Sequence, residues 1–343
     1  MKNRDTILVT GGTGFVGIHI ILQLLQKEYK VKTTIRNLNR KREVFEMLKN
    51  GGITSFDNLE FFETDLIKDD NWDEAVKDCK YVLHVSSPFP SGEPKNEDEL
   101  IIPAREGALR VLKAARNAGV KRVVLTSSFA AIGYSIDPKS HVFTEKDWTD
   151  PNTNIPAYIK SKTLAERSAW DFIRNEGGNL ELTVINPVGI FGPVLGKDFS
   201  SSIKMIEQLM NGKMKSTPKI SFGIVDVRDV ADIHIKAMTN PKANGQRFLA
   251  TSDGTASFPE VAKILKTQKN KFSQRITKKV MPNWIVRFAS LFKPEFKSVS
   301  AQVGKVKILS NEKAKQVLNW KPRSREVVIT DTAASLIKFG IIK

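Results

Sequence analysis

The sequence predicts an α/β fold, in which helices cover both faces of a doubly wound parallel sheet and a smaller C-terminal lobe sits over one edge. Three observations lead there. Short apolar or β-branched runs alternate with helix-length segments from Thr6 to Pro187. The first run breaks at once into a glycine-rich turn, and the helical run His19-Ile20-Ile21-Leu22-Gln23-Leu24-Leu25 follows it. Beyond Gly192-Pro193 the alternation turns irregular. Parallel neighbours need crossovers of about a dozen residues, and helices serve as those crossovers. With 343 residues the chain has room for one or two domains.

The first strand is Thr6-Ile7-Leu8-Val9-Thr10, and Gly11-Gly12-Thr13-Gly14-Phe15-Val16-Gly17 follows. Strand, glycine turn and helix start, in that order, form the setting in which a dinucleotide's pyrophosphate is held. Gly11 allows the tight turn, Gly14 lets the backbone approach the pyrophosphate, and Gly17 lets the helix lie against the strand. The helix N-terminus adds unpaired N–H groups and the positive end of its dipole. Alone, the stretch reads equally well as an ordinary strand–helix turn, so the rest of the chain decides.

The second strand covers residues 30–35 and ends on Arg36, with Asn39-Arg40-Lys41-Arg42 close behind. A fold that prefers NAD usually places an acidic residue here for the ribose hydroxyls. An arginine suits the 2′-phosphate of NADP instead, through paired donors. The third strand, 58–63, closes on Thr64-Asp65-Leu66, where Asp65 either faces the adenine amino group or simply shapes the turn. The fourth, 81–85, leads into Ser86-Ser87-Pro88-Phe89-Pro90. His84 lies inside its apolar run and reads as a packed core histidine. An amphipathic helix over 99–118 precedes the fifth strand, 122–126, which runs into Ser127-Ser128.

A polar, turn-rich segment over 135–154 leads to a helix that opens at Tyr158-Ile159-Lys160-Ser161-Lys162 and runs to about Asn175. A sixth strand over 181–185 ends at Asn186-Pro187. Further on, short helices are expected over 203–210 and 229–238, with short strands near Ile220 and over 247–250. The tail holds helices near 259–267, 282–291, 311–318 and 327–339. These elements place a nucleotide-binding part of Rossmann type, including the helix with Tyr158, mainly in residues 1–193. A substrate-binding lobe takes mainly residues 194–343, with some segments returning to the first part.

A hydrophobic share of 41% with 27% charged residues marks an ordinary globular chain. Cys79 is the single cysteine, so neither an internal disulfide nor a thiol–metal cluster can form, which points to a reducing, cytoplasmic setting. No secretory segment and no apolar run long enough to span a bilayer is visible, so no membrane partner is expected. Of the net charge of +17, +15 lies in residues 261–343, which carry 19 Lys and Arg against 4 Asp and Glu. The lysines there are scattered and accompany no nucleic-acid motif, so they read as a solvated surface or as steering for an anionic cofactor. The expected partners are a small-molecule carbonyl substrate and, at most, a second copy of the chain; no metal or nucleic acid is expected.

Tyr158 and Lys162 lie four apart on a helix and share a face. Ser128 stands 30 residues earlier, at a strand's carboxyl end, where ligands bind in open α/β sheets. Together with the glycine turn, these features resemble the extended short-chain dehydrogenase/reductase superfamily over essentially the whole chain. Within it, the sequence is most similar to the dihydroflavonol reductase, cinnamoyl-CoA reductase and carbonyl reductase group. The resemblance rests on Thr10 to Gly17, on His84-Val85-Ser86-Ser87-Pro88-Phe89, and on Val123-Val124-Leu125-Thr126-Ser127-Ser128. Tyr158 to Lys162, Asn186-Pro187, Arg36 and the stretch from Ser310 to Pro322 complete it. Glu106-Gly107 departs from the Asn-Gly of many relatives and removes whatever contact that asparagine makes.

The resemblance implies a Ser128, Tyr158 and Lys162 triad that reduces an aldehyde or ketone with NADPH, NAD being the less favoured cofactor. It implies cofactor contacts from Gly11, Thr13, Gly14, Phe15, Val16, Gly17, Arg36, Lys41, Asp65, Leu66, Val85, Ser86, Ser87, Thr126, Pro187 and Val188, besides Tyr158 and Lys162. Ser128, rather than Ser127, bonds the substrate oxygen in this pattern. A tyrosine near its unperturbed pKa of about 10 is a poor acid–base catalyst at neutral pH, and the Lys162 cation is expected to lower it. Phe89, Tyr134, Phe191 and Phe222 are candidate pocket walls. Two other readings stay open: an NAD-retaining nucleotide-sugar epimerase or dehydratase, against which Arg36 counts, and a regulator that senses NADP without turnover.

Overall fold

The computed structural model describes residues 5–88, 94–197, 199–268, 271–290, 300 and 302–342. The first half runs β1 (Thr6–Thr10), α1 (Phe15–Gln26), β2 (Lys30–Ile35), α2 (Lys41–Asn50), β3 (Leu59–Glu63), α3 (Trp72–Val76), β4 (Tyr81–His84), α4 (Asp98–Asn117), β5 (Arg122–Thr126), β6 (Val142–Phe143) and α5 (Ala157–Glu176). Then come β7 (Glu181–Pro187), β8 (Gly189–Phe191), α6 (Ser201–Met210), β9 (Thr217–Pro218), β10 (Ser221–Asp226), α7 (Val227–Thr239) and β11 (Arg247–Ala250). The last elements are β12 (Thr255–Ser257), α8 (Phe258–Thr267), β13 (Val280–Met281), α9 (Asn283–Ala289), β14 (Ile308–Leu309), α10 (Glu312–Leu318) and α11 (Arg325–Lys338).

Seven strands pair in parallel in the order β11-β7-β5-β4-β1-β2-β3. Helices cover both faces, which is why the central strands read as unbroken apolar runs: Ile7, Leu8, Val9, Val82, Leu83, Val123 and Val124 are fully buried. One face packs on Ile18, Ile21 and Leu24 of α1 and on Val230, Ile233 and Ala237 of α7. The other packs on Val111, Leu112 and Ala115 of α4 and on Ala169 and Phe172 of α5. The strand order reverses between β1 and β4, and a crevice opens there outside the carboxyl ends.

A second core gathers Phe191 of β8, Ile203 and Ile206 of α6, Ile224 of β10, Val261 and Leu265 of α8, and Val328 and Leu336 of α11. It is reached directly, because β7 ends at Pro187 and β8 begins at Gly189 to join the three-stranded sheet β12-β10-β8. Chain from beyond residue 193 also returns to the large sheet, where β11 pairs with β7 from Arg247 opposite Val184 onward. This interleaving explains the irregular alternation in the second half. β6, β9, β13 and β14 are two residues long, too short to show a period, and the sequence does not announce them.

Candidate active site

The glycine turn follows β1 at the crevice. Gly11 has φ +77°, and a Cβ there would stand 2.9 Å from Ser86 Cβ. Its N–H donates to Thr34 Oγ1 at 3.2 Å, while Gly14 N–H donates to the Gly11 carbonyl at 2.9 Å. A Cβ on Gly17 would collide with that same carbonyl, so glycine there lets α1 start close against β1. Gly14 is the N-cap of α1, no side chain caps it, and the first turn holds no acidic residue. The first N–H groups of α1 are thus left for an anion, with Thr13 and Val16 half-buried beside them and the Phe15 ring packed into the core. This is a cradle that fits a dinucleotide pyrophosphate.

Arg36 lies one residue beyond β2, exposed, with no ion-pair partner among the described residues. Arg40 is held by Glu43 at 2.8 Å, whereas Lys41 lies over the Phe61 ring at 5.5 Å. Two cations therefore border the β2 end, where a 2′-phosphate would sit beside the ribose. Asp65 is a turn residue here: its Oδ1 accepts from Ile67 N–H at 3.2 Å, and its carbonyl accepts from Trp72 Nε1 at 3.2 Å.

At the end of β4, Thr10 Oγ1 accepts from the N–H groups of Val85 and Ser86, both at 3.0 Å, and from Ser86 Oγ at 2.8 Å. His84 Nδ1 lies 2.9 Å from the Thr10 hydroxyl and is hydrogen-bonded to it. Burial, with the nearby Lys162 cation, lowers the His84 pKa to about 3. His84 is a core residue, as its setting in an apolar strand suggests.

α5 carries Tyr158 and Lys162 on one face toward the end of β5. Ser128 caps a short 3₁₀ turn, Phe129–Ala131, and its Oγ accepts from Ala130 N–H at 3.1 Å. The Tyr158 hydroxyl is hydrogen-bonded to Ser128. Lys162 Nζ lies 5.8 Å from the Tyr158 ring centre and donates to Ser87 Oγ at 2.6 Å. Burial lowers the Lys162 pKa to about 8. Tyr158 departs from expectation: burial pushes its pKa up, the Ser128 hydrogen bond pulls it partly back, and Tyr134 adds to the rise. The Lys162 ammonium is turned to Ser87.

Leu66, Ser86, Ser87, Thr126 and Lys162 line one cavity together with His84 and Glu166. The Thr126 hydroxyl is taken by His234 Nε2 at 2.7 Å, because His234 Nδ1 donates to the Val230 carbonyl at 2.7 Å. Ser127 points into the protein and donates to Glu166 Oε2 at 2.5 Å, which leaves Ser128 as the serine beside Tyr158. Pro187 is buried at the end of β7, and Val188 N–H donates to the Ala250 carbonyl at 3.2 Å. Of the candidate pocket walls, Tyr134 is half-buried with Lys307 Nζ 4.6 Å from its ring centre, and Phe222 is half-buried against Phe258. Phe191 is corrected to a core residue: it is 1% exposed, stacked on Phe222 and enclosed by the second core. Phe89 lies outside the described residues.

Glu166 and Arg247, which the sequence does not single out, form with Asn186 a buried polar cluster behind the two serines. The signal available was spacing, since Glu166 follows Lys162 by the same four residues that separate Lys162 from Tyr158. Among the described residues no cluster of three or more His, Cys, Asp or Glu could hold a metal ion, and no helix is long and apolar enough to cross a membrane.

Residues 8–257 match the 3-beta hydroxysteroid dehydrogenase/isomerase family. A cinnamoyl-CoA reductase of Medicago truncatula is 35% identical over 268 residues, which covers 76% of this chain and 80% of the relative. An anthocyanidin reductase of Vitis vinifera is 35% identical over 283 residues, covering 76% of this chain and 80% of that protein. Among solved structures, yeast methylglyoxal/isovaleraldehyde reductase Gre2 complexed with NADPH superposes with a TM-score of 0.80 at 28% identity, over 98% of this chain and all of that one.

Proposed function

The chain belongs to the 3-beta hydroxysteroid dehydrogenase/isomerase family, within the extended short-chain dehydrogenases/reductases, and from that footing we propose that it is an NADPH-dependent reductase of aldehyde or ketone carbonyls. The observation that carries the reading is the Tyr158 hydroxyl bonded to Ser128, with Lys162 one helical turn further on, at the mouth of the glycine crevice. Relatives in the same family reduce carbonyl compounds by name, and one is complexed with NADPH.

NADPH, when bound, supplies the hydride. Gly11, Gly14 and the start of α1 hold its pyrophosphate, and Arg36 with Lys41 holds the 2′-phosphate. Val85, Ser86, Pro187 and Val188 border the crevice further along. Ser128 donates a hydrogen bond to the substrate oxygen and stabilises its growing negative charge. Tyr158 gives that oxygen its proton, and the Lys162 ammonium, cationic below about pH 8, offsets the phenolate left behind. Tyr134 and Phe222 offer apolar walls, which suit an aromatic or aliphatic carbonyl compound. Residues 1–193 would mainly bind the cofactor and residues 194–343 mainly the substrate.

The test is nicotinamide absorbance decay with purified protein and a panel of aldehydes and ketones. Turnover is expected with NADPH. Tyr158→Phe should lower it by roughly 10²- to 10⁴-fold, the usual worth of a general acid, while NADPH binding survives. Near-normal turnover in that variant would remove Tyr158 from the chemistry.

A further inference from the structure

Glu166 is the third polar residue on the face of α5 that carries Tyr158 and Lys162, and its side chain is 1% exposed. Its Oε1 accepts from Arg247 Nε at 2.5 Å and from Trp170 Nε1 at 3.3 Å. Its Oε2 accepts from Ser127 Oγ at 2.5 Å and from Asn186 Nδ2 at 2.7 Å. Four donors thus fill the four lone-pair sites of the carboxylate. Three of them come from elements other than α5: the residue after β5, the end of β7 and the start of β11. Arg247 is itself anchored, donating to the carbonyls of Glu145 and Asp147 at 2.8 and 2.9 Å and lying 3.7 Å from the Trp148 ring centre.

Asn186 shows what the carboxylate enforces. Its Nδ2 donates both to Glu166 and to the Ser128 carbonyl at 3.2 Å, while its Oδ1 is buried without a hydrogen-bond partner. A buried acceptor left without a partner is unfavourable, so something must hold the amide in this orientation. Flipping the amide would set its oxygen against the Glu166 carboxylate, so the donor orientation holds. Ser127 and Ser128 are consecutive on extended backbone, where side chains point to opposite sides. Clamping Ser127 inward therefore aims Ser128 at Tyr158.

We propose that Glu166 is a positioning residue for the reduction: through Ser127 and Asn186 it sets the place of Ser128 against the Tyr158 hydroxyl. The inference rests on the carbonyl-reductase reading. Glu166→Gln keeps the shape but puts a donor where Asn186 already donates. Measured per folded molecule, it should lower kcat by roughly ten- to hundredfold, the scale of a small misplacement, with the KM of the carbonyl substrate and the Kd of NADPH within about threefold of wild type. Ser127→Ala should lower kcat by about three- to tenfold, and the double variant should be no slower than Glu166→Gln, because the Ser127 contact is one of the two that Glu166→Gln already disturbs. A lower Tm with unchanged kcat per folded molecule, or multiplicative losses in the double variant, would overturn the proposal. Should Glu166→Gln fail to fold, Ser127→Ala decides alone, and wild-type kcat in it would overturn the proposal. If the wild-type protein turns over no carbonyl, the reductase reading itself falls; active wild type with unaffected variants removes only the role of Glu166.

Discussion

Arg36 stands just past β2, exposed, and makes no ion pair among the described residues. The neighbouring Arg40 is already neutralised by Glu43. An exposed, uncommitted arginine at the position where NAD-preferring folds carry an acid is arranged for an anion with two or three oxygens. Arg36→Ala should therefore raise the KM for NADPH by roughly ten- to hundredfold, about 1.5–3 kcal/mol for hydrogen bonds to a charged group, and leave NADH within about threefold. Steady-state kinetics with both cofactors checks it. Equal losses for both would place Arg36 outside the 2′-phosphate site. Residue identity alone carried this much because charge is legible without a partner. It did not carry Phe191, whose aromatic ring looks the same in a core as in a pocket wall, nor the protonation of Tyr158, which depends on how deeply the fold buries its hydroxyl.

Among the elements, β5 and α7 are joined by Arg122, which is 2% exposed at the first position of β5. Its Nη1 donates to the carbonyls of Ala237, Met238 and Asn240 at 2.6, 3.1 and 2.7 Å, and its Nε donates to Glu181 of β7 at 2.7 Å. The last carbonyls of a helix have no partner within it, and here one buried guanidinium serves several of them. Arg122→Met fills the volume but strands those carbonyls and half of a largely buried ion pair. Urea unfolding should show a loss of about 3–5 kcal/mol. A loss below about 1 kcal/mol would mean that water reaches the end of α7 and replaces the arginine. Nothing in the sequence links Arg122 to Ala237, because the contact is made only once β5 and α7 pack. The long periodic elements, α4 and α5 above all, were legible from local pattern. The two-residue strands and the buried cluster around Glu166 were not, since each is created by tertiary contact.

Across the whole molecule, three histidines on different elements are buried in neutral form. Burial lowers His19 on α1 to about 4, His84 on β4 to about 3 and His234 on α7 to about 4. Each bonds a protein partner in that form: the Pro193 carbonyl, Thr10, and both Val230 and Thr126. The unfolded chain takes up a proton at each near pH 6.5, while the folded chain refuses it until about pH 3–4. Their contribution is thus complete above pH 6.5 and drains away as the pH falls, by up to about 1.4 kcal/mol per pH unit for each histidine. Asp229 works the other way, because burial raises it to about 6 and the fold favours its neutral form as the pH drops. Burial raises Asp232 and Glu145 in the same direction, but the three large histidine shifts outweigh these carboxylates, and the net effect is a Tm that declines from pH 6.5 to 4.5. Self-repulsion of a chain with net charge +17 would also lower Tm in acid, but salt screens surface charge and leaves buried imidazoles untouched. Differential scanning calorimetry over that range should show the decline persisting in 0.5 M salt, on the order of several Debye lengths of screening between surface charges. A decline that salt abolishes would assign it to surface charge and return the three histidines to the status of ordinary core residues.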